Sequence, residues 1–134
     1  MTIHEAFQKL KRSPFRMRFH LDQEDIAYID RVGLDAVRSH AADFVRLKLA
    51  DAYPLNDGKQ TPMHGHPVFK AMHGSAMCCR GCMEKWWHVR QGVALSEVQQ
   101  RKIVNFLMEW VMQNMRKHAN RGKNIETKSN ISTS

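Results

Sequence analysis

The sequence predicts an all-α domain, a compact bundle of about four to five helices around a long polar loop. Three observations lead there. Apolar residues recur at helical spacing in two long windows, two residue pairs match capping boxes, and no segment alternates apolar with polar residues as a half-buried strand does. At 134 residues, 43% hydrophobic and 25% charged, the chain has material for one core.

Residues 1–14 are mixed in character and end at Ser13-Pro14, which reads as an N-terminal arm, either a short helix or a mobile lead-in. The domain is placed at residues 15–117. Asp22 and Asp25, three apart, resemble a capping box and open a helix over 22–32, which Gly33 ends. Leu34, Val37, Ala41, Phe44 and Leu47 then set an amphipathic helix over 34–51, with Arg38, Arg46 and Lys48 on its solvated face. Residues 52–66, AYPLNDGKQTPMHGH, break the period with prolines, glycines and Asn56-Asp57-Gly58, so they form a turn-rich loop. Pro67 suits the first turn of a short helix through His73. Gly74-Ser75 interrupts it, Ser75 is placed to cap a helix over 76–86, and Gly92 closes that segment. Ser96 with Gln99 opens the last helix, 97–117, carrying Ile103, Leu107, Trp110, Val111 and Met115 inward. Residues 118–134 are a polar tail.

Lysine and arginine number 21 against 13 acids, a net charge of +8. That balance favours a polyanionic partner, nucleic acid first, with Arg16, Arg18, Lys59, Arg80 and Arg90 as the candidate phosphate contacts. No apolar run approaches the roughly 20 residues that span a bilayer, so no membrane partner is expected. The N-terminus has no apolar secretory core, and an odd cysteine count in one cluster is a poor disulfide framework. A cytoplasmic protein with reduced thiols is the expectation.

All three cysteines, Cys78, Cys79 and Cys82, fall within five positions. On a helix at about 100° per residue they stand at about 0°, 100° and 40°, one shared face. Soft thiolates favour zinc or an iron–sulfur cluster. A closed tetrahedral site needs a fourth ligand, and His73 or His66 is preferred to His88, which lies about 9 Å along the axis from Cys82. The same atoms also spell a C-x-x-C, Cys79 to Cys82, in which the first thiol would have a lowered pKa beside a helix N-terminus and an arginine. The βαβ surroundings of redox proteins with that motif are missing. The third reading is three small buried side chains. Trp86, at about 80°, faces the cysteine side and Trp87, at about 180°, the other; both are assigned to the core.

In the loop, Asp57, His64 and His66 are the candidate acids and bases, and Lys59 with backbone amides a candidate anion contact. The loop is not a P-loop, since Gly-x4-Gly-Lys-Ser/Thr is missing.

Several of these segments carry a resemblance: Phe15-Arg16-x-Arg18-Phe19, His40-Ala41, Asn56 to Pro62 (NDGKQTP), His66-Pro67-Val68-Phe69, His73, and Cys78-Cys79-Arg80-Gly81-Cys82 with Lys85-Trp86. From about Phe15 to Val111 the chain resembles an uncharacterised family of short bacterial proteins that bears a domain-of-unknown-function label. Where that family reads Lys-Trp-His, this chain has Lys85-Trp86-Trp87, and His88 is displaced by one. The resemblance implies that the loop and the cysteine run form one feature.

The leading expectation is a small cytoplasmic metal-binding protein. Zinc or an iron–sulfur cluster would sit on Cys78, Cys79 and Cys82 with His73 or His66, and a basic surface would contact nucleic acid. The alternative is a metal-dependent, hydrolase-like enzyme with an open zinc position beside the 56–66 loop. A thiol redox protein comes third.

Overall fold

A computed structural model describes the backbone of residues 1–133 and the side chains of residues 1–121. It is all-helical, with seven helices and no strand among the described residues. The count exceeds the expected four to five because the N-terminal residues form two short helices of their own. The first, α1 (Ile3–Leu10), is capped by the Thr2 hydroxyl, which accepts from the Glu5 N–H at 3.1 Å. The second, α2 (Pro14–Met17), is a single turn capped by Ser13 with proline at its first position.

The capping box at Asp22 and Asp25 is reciprocal, with bonds of 3.0 and 2.9 Å, and starts α3 (Gln23–Val32). Gly33, at φ +88°, turns the chain into α4 (Leu34–Lys48), which ends before residue 51 because Leu49 and Ala50 both close back on the Val45 carbonyl. Helix α5 (Pro67–Gly74) follows the loop. Ser75 does not cap the cysteine segment; it is the C-terminal cap of α5. Ala76 then takes a left-handed φ of 59°, so a helix cannot begin at 76, and α6 (Arg80–Trp87) starts four residues later with Cys79 as its N-cap. The Ser96–Gln99 box is reciprocal as well, at 2.9 and 3.1 Å, and opens α7 (Glu97–Thr133). Its backbone continues past Lys117, where the apolar period stops.

Helix α7 packs across α4 and α5, α3 lies on α4, and α2 lies on α5. Val37, Ala41 and Val45 of α4, Met72 of α5, Met83 of α6, and Leu107 and Val111 of α7 are fully buried in one cluster, with Cys78 and Cys79 at its edge. Both tryptophans of α6 are half-buried rather than core, and Trp87 donates its indole N–H to the Ser75 carbonyl at 2.8 Å. The closest backbone approach is at Gly74, where an added Cβ would lie 2.7 Å from Trp110 Nε1.

One buried side chain ties the end of α4 to the strap between α6 and α7. Arg80, only 1% exposed, donates to the carbonyls of Leu49 (3.1 Å), Asp51 (2.7 Å), Arg90 (2.7 Å) and Val93 (2.6 Å). It is therefore a structural residue and not a nucleic-acid contact, which corrects the expectation for it. Hydrogen bonds to a charged donor contribute about 1.5–3 kcal/mol each. Arg80→Met is expected to cost about 3–5 kcal/mol in urea unfolding, since four buried carbonyls lose their donors. Arg80→Lys is expected to recover less than half of that, because an ammonium lacks the planar fork that spans two chain segments.

Candidate metal centre

The three sulfurs do converge, though not through a shared helix face. Cys78 and Cys79 come from the extended turn before α6 and Cys82 from its first turn. All three Sγ atoms lie within 4.8 Å of one another. Tetrahedral zinc with Zn–S of about 2.3 Å places sulfurs about 3.8 Å apart, so closure asks for at most about an ångström of side-chain movement. The Cys79 Sγ also accepts the Cys82 N–H at 3.3 Å, capping the helix it precedes.

The partner absent from the sequence reading is Arg16. Its guanidinium donates to the Cys82 Sγ at 3.2 Å, to the Cys78 Sγ at 3.6 Å and to the His73 carbonyl at 2.7 Å. Its carbon lies 5.8 Å from the centre of the Trp86 ring, which does face the cysteine side. Arg16 is 7% exposed and has no carboxylate partner among the described residues. Expected as a phosphate contact, it is turned inward onto sulfur instead. The α2 turn positions it, and nothing local in the sequence links that turn to residues more than 60 positions away.

These neighbours set the thiols apart. Burial, then the neighbouring Cys82, pushes the Cys78 thiol up to about 12 against the Arg16 contact. Cys79 is also raised, by burial first and in part by the charge of Asp57. For Cys82, burial alone would raise the value, but the hydrogen bonds with Cys79, Arg16 and Cys78 outweigh it and the net shift is downward. The C-x-x-C expectation is thereby reversed: the first thiol is suppressed and the second activated.

The polar loop meets this centre. Asp57 Oδ1 accepts from the Arg80 N–H at 3.0 Å and from Gln60 Nε2 at 2.8 Å. A Cβ built at Gly81 would be 3.9 Å from both Asp57 Oδ2 and Cys79 Sγ, so carboxylate and thiol flank the same small residue. Thr61 donates its hydroxyl to the Cys78 carbonyl at 2.7 Å.

The histidines do not join the sulfurs. His73 is stacked on Phe19 and its Nε2 lies 3.0 Å from the Thr61 carbonyl. His66 belongs to a separate cluster with Tyr28, His40 and Phe44. Its Nδ1 accepts the Val68 N–H at 3.0 Å, so the neutral ring carries its proton on Nε2, which points at His40 Nδ1 3.1 Å away. With one nitrogen capping α5 and the other donating to His40, no lone pair of His66 is free for a metal. His64 is exposed and, with His66, lines a cavity away from the sulfurs whose walls also include Asp22, Asp25, Tyr28 and Lys70. His88 is the exposed left-handed cap of α6. Of the candidate acids and bases, His64 and His66 thus share one cavity, while Asp57 lies apart beside the thiols. Arg18, Lys59 and Arg90 are exposed.

Burial first, and then the His40 charge, push His66 down to about 4 from its ordinary 6.5. His73 is lowered too, again chiefly by burial. In the unfolded chain these rings take a proton near pH 6.5, while in the folded chain they resist it. Their contribution is complete above pH 6.5 and is lost as pH falls toward 4. Urea unfolding at pH 7.0, 5.5 and 4.5 is expected to show this acid-side loss. His66→Asn keeps an acceptor for the Val68 N–H but cannot titrate, and is expected to shrink the loss by about 2 kcal/mol after allowance for screening of a half-buried ring.

No helix among the described residues is long and apolar enough to cross a membrane. No solved structure matches the chain. The profile of the family described as domain of unknown function DUF4186 matches residues 4–112, and the chain belongs to that family.

Proposed function

We propose that Cys78, Cys79 and Cys82 bind a single metal ion, zinc, and that the metal locks the 56–61 loop against the α2 and α6 turns. The supporting observation is the buried Arg16. A guanidinium keeps its proton, and burying it with no anion is costly. Three thiolates on one Zn2+ leave a net charge of −1, which Arg16 offsets. The sulfur spacing favours one ion over an iron–sulfur cluster, because a four-iron cluster places each thiolate on a different iron and a two-iron cluster takes only two thiolates on one iron, whereas all three sulfurs here lie close together. The ligand set of this chain is three thiolates, which leaves a fourth position for water or for Asp57 Oδ2. An exchangeable water there would carry the hydrolase-like reading.

A second reading rests on Cys82. A single Cys82 thiolate also offsets Arg16, and its downward shift and half-buried position are those of a reactive thiol. Nucleic-acid contact, the remaining part of the proposal, draws on the net charge of +8 and on Arg18, Lys59 and Arg90 alone.

Freshly purified protein is expected to be colourless with about one zinc per chain, and its thiols to react with a disulfide reagent only after chelation. Arg16→Met is expected to weaken zinc binding about 10- to 100-fold, the range for loss of a group supporting the ligands. Metal-free protein in which Cys82 alone reacts rapidly at pH 7 would replace the metal reading with the thiol one. The nucleic-acid part predicts an affinity for single- or double-stranded oligonucleotides that falls steeply with salt, and it fails if no such binding occurs at low salt.

A further inference from the structure

Arg16 also lines a second cavity, of about 90 Å3, between α1, α2 and α7. Its other charged lining residues are Lys11, Lys117 and Arg121, and no aspartate or glutamate among the described residues lines it. None of these three is paired with a carboxylate among the described residues. Lys117 and Arg121 are one helical turn apart on α7, a like-charge pair that disfavours the helix unless something answers it. Lys11, Lys117 and Arg121 are exposed, so water and salt screen their mutual repulsion, and an anion would find all three together.

A separate observation concerns Trp110, on the same face of α7, seven and eleven residues before those cations. It is 4% exposed and lines the same cavity. Its indole N–H edge lies against Gly74, which also lines the cavity and where a Cβ would come within 2.7 Å of Nε1. That N–H has no acceptor among the described residues and is not itself enclosed, so it stays open to a water molecule or a ligand oxygen. The cavity therefore offers an indole N–H donor beside three unpaired cations, Lys11, Lys117 and Arg121, with the sulfur-bound Arg16 at its edge and apolar side chains of α1 lining one wall.

We propose that this cavity binds a phosphate group, as the free dianion or as the head of a small phosphate monoester. Its size suits one tetrahedral oxyanion and not a nucleotide. Guanidinium forks and ammonium groups match the oxygens, and the Trp110 N–H supplies a neutral donor at the floor. The site shares Arg16 with the thiol centre but needs no metal.

The test titrates inorganic phosphate, and in a parallel arm glycerol 3-phosphate, into the full chain at constant ionic strength, with sodium chloride as the reference. Affinity is read by calorimetry. The Trp110 indole resonance, assigned with Trp110→Phe, is followed by 1H–15N NMR. A saturable shift of that resonance is expected, and the tighter of the two ligands identifies the free ion or the monoester as the source. Lys11→Met with Arg121→Gln, both exposed side chains, is expected to weaken binding roughly tenfold or more. Arg101→Gln with Lys102→Met removes the same charge elsewhere on α7 and is expected to change it by less than about twofold. Equal loss in the two double variants, a shift reproduced by chloride, or no binding overturns the proposal. Zinc content is measured in both variants, and its retention separates failure here from failure of the metal reading.

Discussion

A buried positive charge without a carboxylate constrains this side of the molecule. Arg16 is held by a one-turn helix, donates to a backbone carbonyl of α5 and rests on two sulfurs. Desolvating a guanidinium costs several kcal/mol, and neutral thiols return little of it. Negative charge on the sulfurs, by metal binding or by loss of the Cys82 proton, is what we propose answers it. Fold and thiol chemistry are joined at that point, because the same contact docks α2 and helps to lower the Cys82 thiol.

Arg80 solves the same problem differently. It is more deeply buried than Arg16, yet it has four carbonyl partners, two of them just past the C-terminus of α4 where unsatisfied carbonyls carry partial negative charge. Oriented dipoles answer both terminal nitrogens there without a counter-ion, while the Arg80 Nε is buried with no acceptor among the described residues. Two arginines that look alike as members of a basic composition thus have opposite consequences. One closes the chain's connections, and the other rests on the thiol centre.

The contrast explains what was legible in the sequence. Helix starts at Asp22 and Ser96 were readable because a capping box is complete within four residues. The apolar stripes of α4 and α7 were readable because burial follows a fixed period. The cysteine cluster was readable as a cluster, but not its route: the left-handed Ala76 and the cap at Cys79 depend on how the turn packs, so a continuous helix over 76–86 was the wrong path to a convergence that exists. The histidines were misassigned for a related reason. An imidazole near a thiol in sequence is free to turn either way, and the Thr61 carbonyl and the Val68 N–H, both set by tertiary folding, claimed His73 and His66. Arg16 and its sulfurs are joined across more than 60 residues, and the His40–His66 contact across 26, beyond the reach of any local pattern.

Cys79 has two duties at once. Its sulfur starts α6 by accepting the Cys82 N–H, and it is one corner of the thiol triad. A bulky alkyl adduct or a sulfonic group on that atom would unseat the first turn of the helix that begins with Arg80, loosening the anchor for four carbonyls along with it. Chemical injury to a single sulfur would therefore spread through the backbone, and the protein would register oxidative damage as unfolding.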